Sequence, residues 1–254
     1  MRKLRWIGGA LLAIVLLVAG WVAFTQWQIA RLETLTAEDG APGTFLTVNG
    51  QKLHVQTTGA PLILLHGAEP GGSLTWNPWA QRFQGKRSVI LIDQLGFGHS
   101  ARATVPGPTL SAQARASDVV AVADQLGVAS FDLVGFSYGG HVAAQVALAA
   151  PERVRKVVFL GAAVYLPPLP PGMNIHVLAR VASFYMWGAA PHGVWSNKCS
   201  AAGLTDETCP AMKLARVRGT VDTMVAGLAS GALDPTLGER VGTIKAPALV
   251  IWGG

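Results

Sequence analysis

The sequence is short of charge. Aspartate, glutamate, lysine and arginine make up 13% of its 254 residues, about half the share in an ordinary soluble domain, which is roughly 25%. The basic residues do not cluster beyond the start of the chain. The formal net charge is +6, and Arg2, Lys3 and Arg5 carry half of it. No Lys/Arg run and no interleaving of basic and aromatic residues follows, which excludes nucleic acid as an electrostatic partner. Cysteine is scarce too. Cys199 and Cys209 are the only two, and two cysteines alone lack the four-ligand set of a structural zinc site. They flank a turn containing Gly and Thr. In an oxidising compartment they would close a small loop as a disulfide; otherwise they are two free thiols. No internal repeat is present.

What the chain has in excess is apolar. Half of its residues are hydrophobic, no charged residue lies between Trp6 and Ala30, and Ile7 to Phe24 is almost wholly apolar. A helix rises about 1.5 Å per residue, so this stretch is long enough for a bilayer core of about 30 Å. Trp6, Trp21 and Trp27 sit near its ends, where aromatic rings favour the interface. Residues 6–27 therefore read as the membrane contact. Either residues 1–30 are an uncleaved anchor or they are a signal peptide, with a poor cleavage site at Val18-Ala19-Gly20. The apolar run exceeds the 7–15 residues of a signal peptide and no clean A-x-A follows, which favours the anchor. Basic residues precede the segment, while Arg31, Glu33, Glu38 and Asp39 follow it, and the positive side stays inside. The expectation is a membrane-anchored protein with its domain on the periplasmic or extracytoplasmic side, or a secreted one after cleavage.

Residues 31–43 read as a polar linker. Thr44–Val48 and Gln51–Thr57, joined by Asn49-Gly50, carry the strongest short hairpin signal. Short apolar runs follow at Leu62–Leu65, Val89–Ile92, Phe131 with Leu133–Val134, Val157–Leu160 and Ala248–Ile251. Continuous apolarity marks strands buried on both faces, as in a parallel sheet. Helical patterns lie between them. Val119, Val122, Ala123 and Leu126 recur at helical spacing, and Tyr138–Ala150 is apolar nearly all round until Pro151. Strand and helix in alternation predict an open α/β sheet. The alternation lapses between residues 164 and 243, which open with Pro167, Pro168, Pro170 and Pro171 and carry Phe184, Tyr185, Trp187 and Trp195. The expected division is a first core part over 44–163, a helical cap insertion over 164–243, and a core strand over 244–254.

Gly135-Phe136-Ser137-Tyr138-Gly139 fits G-x-S-x-G. The match has little force alone, but it follows a buried strand and opens an apolar helix, as a nucleophile elbow requires. Gly135 and Gly139 leave room for the tight turn, which holds Ser137 with its hydroxyl exposed. A carbonyl attacked by Ser137 becomes an oxyanion that needs two preorganised N–H donors. Tyr138, the residue after the nucleophile, supplies one. The other comes from the loop after the third strand, which here is His66-Gly67-Ala68 and points to Ala68. Asp93, ahead of Gly96-Phe97-Gly98-His99-Ser100, reads as a hydrogen-bonding scaffold and His99 as solvent-facing. Asp222 and Asp234 read as solvated.

In order along the chain, Asn49-Gly50 with Leu53-His54, His66-Gly67, Asp93 with Gly96-Phe97-Gly98-His99-Ser100, Gly135 to His141, and Pro151-Glu152-Arg153-Val154 resemble the α/β-hydrolase superfamily. The likeness is to its capped esterase and meta-cleavage-product hydrolase branch, over about Thr44 to Ala163 and again over Lys245–Gly254. The resemblance implies a serine hydrolase acting on small ester-like substrates through an acyl-enzyme, with no metal or organic cofactor. It leaves open carbon–carbon bond hydrolysis, acyl transfer, or a non-catalytic membrane-tethered binding domain. It also implies that the strand ending at Ile251 is followed by the triad acid and later by the triad histidine. The expectation is therefore that both lie beyond residue 254 and that the chain as given is inactive. His141, His176 and His192 follow Ser137 but are badly placed for a base.

Overall fold

The computed structural model describes residues 2–58, 61–83, 86–165 and 175–253. Seven strands form one sheet: β1 (Thr44–Val48), β2 (Gln51–Thr58), β3 (Pro61–Leu65), β4 (Ser88–Ile92), β5 (Phe131–Phe136), β6 (Val154–Leu160) and β7 (Ala248–Ile251). Their order across the sheet is β1-β2-β4-β3-β5-β6-β7. The first two strands run antiparallel and the rest are parallel. Asn49 and Gly50 join β1 to β2 with φ of 49° and 76°, the two positive values that a tight two-residue hairpin demands. The apolar runs at β3 and β4 occupy the middle of the sheet, where every residue of β4 is buried. Ile63, Leu65, Ile90, Ile92 and Leu133 join one large core with the helices.

α1 (Arg2–Leu32) precedes the sheet, α2 (Asn77–Phe83) lies between β3 and β4, α3 (Ala112–Gln125) between β4 and β5, and α4 (Tyr138–Ala149) between β5 and β6. α3 begins at Ser111, whose side chain accepts from Ala114 N–H, a regular N-cap. α4 is buried along nearly its whole length, as its unbroken apolar sequence requires. Between β6 and β7 lie α5 (His176–Trp187), α6 (Val194–Ala201), α7 (Pro210–Ala215), α8 (Thr220–Ala229) and α9 (Leu237–Arg240). The proline-rich opening of this stretch, Pro167–Pro171, lies outside the described residues. Cys199 and Cys209 are joined as a disulfide, with their Cα atoms 5.9 Å apart, tying α6 to the start of α7.

Two features differ from the sequence expectation. The boundary between anchor and linker, expected after residue 30, falls inside α1, and the end of that helix belongs to the domain. Thr25 and Ile29 are fully buried, Ile29 in a cluster with Phe184 and Val221. Gln26 bonds Arg180, and Trp21 stacks on Tyr185 with ring centroids 6.0 Å apart. The buried Glu33 accepts from Gly219 N–H at 2.7 Å and Val221 N–H at 2.9 Å, so it satisfies donors at the start of α8. The chain beyond it is fastened as well, through Leu35 N–H to Arg216 O. The physical reason is periodicity: Thr25, Ile29 and Leu32 form a stripe on α1 that matches the cap. The second is β7, whose apolar run alone reads as buried but which is also expected to be an exposed sheet edge where no further strand pairs with it. Among the described residues β7 pairs with β6 on one side, and Leu249, Val250 and Ile251 are 55%, 65% and 44% exposed.

Candidate active site

Ser137 sits between β5 and α4 with φ 50° and ψ −115°, a backbone region that costs a side-chain-bearing residue strain of about 1–3 kcal/mol. The neighbouring glycines make the turn possible. A Cβ on Gly139 would lie 2.5 Å from His66 O, and one on Gly135 would lie 2.5 Å from Gly140 Cα. Gly67 packs across the same turn: a Cβ there would be 3.2 Å from the Cβ of Ser137. The loop after β3 is thus pressed against the serine. Among the described residues, neither the Tyr138 N–H nor the Ala68 N–H is donated to a protein acceptor, and both remain available for an anionic oxygen.

The loop is held by defined partners. His66 Nδ1 donates to Gly67 O at 2.7 Å, its Nε2 accepts from Gln94 N–H at 3.0 Å, and Gln94 Nε2 donates to His66 O at 2.8 Å. One donor and one acceptor on the ring define a neutral imidazole, and burial lowers its pKa. His66 is therefore a brace between two loops. Trp187, at the end of α5, donates its indole N–H to Ala68 O at 3.0 Å. The cap stretch thereby holds the Ala68–Glu69 peptide, next to the Gly67–Ala68 peptide whose N–H is expected to serve the oxyanion.

Asp93 is fully buried and binds three groups: the His54 ring at 2.7 Å, Ser73 N–H at 2.6 Å and His99 N–H at 2.9 Å. Burial alone would raise its pKa, but the His54 hydrogen bond and charge outweigh it and hold the carboxyl at about 2. His54 shows the complement. Burial opposes its charge, the Asp93 contacts overcome that, and its pKa is raised. Both ring nitrogens face oxygens, Asp93 Oδ2 and Pro42 O, a setting that favours the protonated ring. The pair braces the loop beside the serine, in keeping with a scaffold reading of Asp93.

His99, expected to face solvent, is instead buried. Its Nδ1 donates to Ala37 O at 2.6 Å, because the segment after α1 folds back over it. Asp234 is likewise not solvated. Its side chain is 10% exposed and binds Gln145, Arg240 and Thr236, while Asp222 pairs with Arg180 at 2.5 Å. His141 donates from Nδ1 to Ala163 O at 2.9 Å and accepts at Nε2 from Asp234 N–H at 3.0 Å. Its lone pair is spent, and it cannot take a proton from Ser137. His176 and His192 are exposed in the cap stretch. All six histidines of the chain are thereby engaged elsewhere or turned to solvent.

A cavity of about 210 Å³ adjoins the turn. Its wall runs from Ala68 and Tyr138 on the core side to Met186, Trp187 and Met224 on the cap helices, with Phe97 between. Of the aromatic residues in the stretch between β6 and β7, Trp187 lines the cavity, whereas Phe184 packs against α1 and Trp195 against the disulfide. Arg115 and Thr223 also line it, and neither was singled out from the sequence. The signal was there for Arg115: it falls on the buried stripe Ala112, Ala116, Val119, Val122 and Ala123 of α3.

A mostly parallel sheet with an antiparallel lead-in, a strained serine between strand and buried helix, and a helical layer over the cavity define a class. A family model described as the alpha/beta hydrolase fold matches residues 60–190, just over half of the chain, and the chain belongs to that family. It is 31% identical to a 2-hydroxy-6-oxononadienedioate/2-hydroxy-6-oxononatrienedioate hydrolase of Paraburkholderia phymatum, over 87% of this chain and 82% of that protein. A protein of the same description from Burkholderia vietnamiensis is 30% identical over 80% of this chain and 74% of its own length. Among solved structures, an esterase from Exiguobacterium antarcticum aligns with TM-score 0.60 at 21% identity, covering 82% of this chain and 80% of that one. A meta-cleavage product hydrolase from Pseudomonas fluorescens aligns with TM-score 0.59 at 20% identity, covering 82% and 78%.

Proposed function

We propose that this protein hydrolyses an ester or related acyl bond of a small, largely apolar substrate through an acyl-enzyme on Ser137. The observation that carries the reading is the strained Ser137 at the mouth of α4, with Gly67 packed against it and two unclaimed N–H groups beside it. Ser137 attacks the carbonyl, and Ala68 and Tyr138 N–H groups receive the oxyanion. A free serine hydroxyl is a weak nucleophile and needs a base. Since the six histidines are engaged elsewhere or exposed, we assign the base and its orienting acid to residues outside 1–254. Hydrolysis of a carbon–carbon bond next to a carbonyl is the second reading, favoured by the names of the relatives at 30–31% identity over most of the chain. On the same proposal α1 anchors the protein in a membrane with the domain on the extracytoplasmic side: Leu11–Leu32 has a mean hydropathy of 1.7.

The test uses the protein as its gene encodes it, with any residues that follow Gly254. A fluorophosphonate probe is expected to label Ser137, and Ser137→Ala should lower turnover of short p-nitrophenyl esters by several orders of magnitude, on the order of 10⁶ in the best-studied series. A variant within tenfold of the parent overturns the nucleophile assignment. Strong labelling of residues 1–254 alone would place a base inside the chain.

A further inference from the structure

α5 is apolar on nearly every side. Its strongly polar side chains are His176 at its start, Arg180, which pairs with Asp222 at 2.5 Å, and the buried Ser183. A helix that is hydrophobic all round is normally covered all round. Part of α5 is covered: Phe184 packs with Ile29 of α1 and Val221 of α8, and Ala179 and Val181 are buried. One face is open. Ile175 at the N-cap, Leu178 and Met186 share it at helical spacing, and they are 50%, 36% and 46% exposed among the described residues.

This open face ends beside both the anchor helix and the cavity. Tyr185 stacks on Trp21 with ring centroids 6.0 Å apart. Met186, the next residue, lines the cavity while remaining exposed on its other side. Trp187 follows and bonds Ala68 O at 3.0 Å. Three consecutive residues thus lead from α1 to the loop packed against Ser137. The surface inside the cavity is apolar, so a charged group entering it would lose its water with no partner in return. We propose that the open face of α5 rests on the bilayer and that the cavity is loaded from the lipid phase past Met186, with an uncharged acyl compound dissolved in the bilayer. This deepens the proposed function and rests on it for Ser137 as nucleophile and α1 as anchor. The bilayer is the occupant because the face continues the apolar surface of α1 at Trp21, where aromatic rings favour the interface. An exposed apolar patch of this kind marks a contact site. The anchor holds the face at high effective concentration against the membrane, so a modest apolar area suffices.

The contact is read without turnover in the gene-encoded protein reconstituted in phosphatidylcholine vesicles. Bimane is attached at Leu178→Cys or, as a control, at Glu152→Cys, in the turn between α4 and β6 at the opposite end of the sheet from Ser137. Lipid carrying a doxyl group near its headgroup is expected to quench the probe at 178 and to spare the one at 152. Equal quenching at both positions in protein retained by carbonate-washed vesicles overturns the contact. The route is read as a ratio: turnover of vesicle-borne p-nitrophenyl decanoate over that of water-soluble p-nitrophenyl acetate. Leu178→Glu, in protein of parental circular dichroism, is expected to lower this ratio roughly fivefold or more, since interfacial binding scales with buried apolar area. An unchanged ratio overturns loading from the lipid. Recovery of the full chain in the soluble fraction overturns the anchor and this inference with it. Selective quenching at 178 with Ser137 unlabelled by fluorophosphonate overturns the nucleophile alone and leaves the α5 contact standing.

Discussion

Residue by residue, the sequence was legible wherever chemistry is written locally. The glycines around Ser137 and the placement of that serine between an apolar strand and an apolar helix are consecutive features, and the turn they imply is the turn observed. His99 and Asp234 were misread because their surroundings come from distant chain: Ala37 for one, and Gln145 with His141 for the other. Glu69 was not singled out at all. It follows Ala68, is 9% exposed, and its Oε1 has no partner among the described residues. Burial pushes its carboxyl up to about 7, against the lowering pull of Lys198. A folded-state pKa above the unfolded value means the folded protein holds the proton more tightly. The associated stability is therefore full below pH 4.5 and is lost as pH rises through about 7, a loss of about 3 kcal/mol. Asp118, raised to about 6 by burial, contributes in the same sense. Urea denaturation at pH 5 and pH 8 should show the parent weaker at the higher pH and Glu69→Gln with a visibly smaller difference. Equal slopes in the two proteins would mean that Glu69 is ionised in the folded state.

At the level of elements, periodicity served well for α3, α4 and the central strands and poorly for the ends. Ala248–Ile251 has the composition of a buried strand, yet composition says nothing about how many neighbours a strand has. α5 carries a role that no pattern announced. One end of its surface meets α1 through Tyr185, and its last residue, Trp187, both lines the cavity and bonds Ala68 O. A lone tryptophan in an amphipathic segment reads as packing, and only the fold reveals that its N–H is used. The bond holds the Ala68–Glu69 peptide, which adjoins the Gly67–Ala68 peptide that carries the Ala68 N–H, so its loss should act through that neighbour on the oxyanion more than on ground-state binding. In the gene-encoded protein, Trp187→Phe keeps the ring and removes the donor. The expected effect is a fall in kcat of roughly three- to tenfold, the scale of one neutral hydrogen bond, with KM within twofold. A rise in KM with kcat unchanged would assign Trp187 to substrate packing alone.

For the whole molecule, α1 has two halves with different surroundings. From Leu11 to Leu17 every described residue is exposed, including Leu11, Leu12, Ile14, Val15, Leu16 and Leu17. From Thr25 onward a stripe is buried against the helices between β6 and β7, and Glu33 closes the contact at α8. An aqueous setting would leave the first half as a continuous apolar surface, which soluble proteins rarely tolerate. A bilayer would cover it: the 16 charge-free residues from Trp6 to Trp21 span about 24 Å as a helix, with Arg2, Lys3 and Arg5 carrying the helix on to the opposite surface. The packed half cannot enter that core without leaving the domain, so the membrane surface should lie near Trp21 and the cap should sit against it. Membranes washed with carbonate are expected to retain the full chain, and protease added from the extracytoplasmic side should digest the domain while sparing residues up to about Trp21. Deleting residues 2–20 should release a soluble domain that keeps the Trp21–Tyr185 and Glu33 contacts and therefore melts within a few degrees of the parent in detergent. Recovery of the full chain in the soluble fraction, with Leu16→Cys freely alkylated by a membrane-impermeant maleimide, would rule the anchor out.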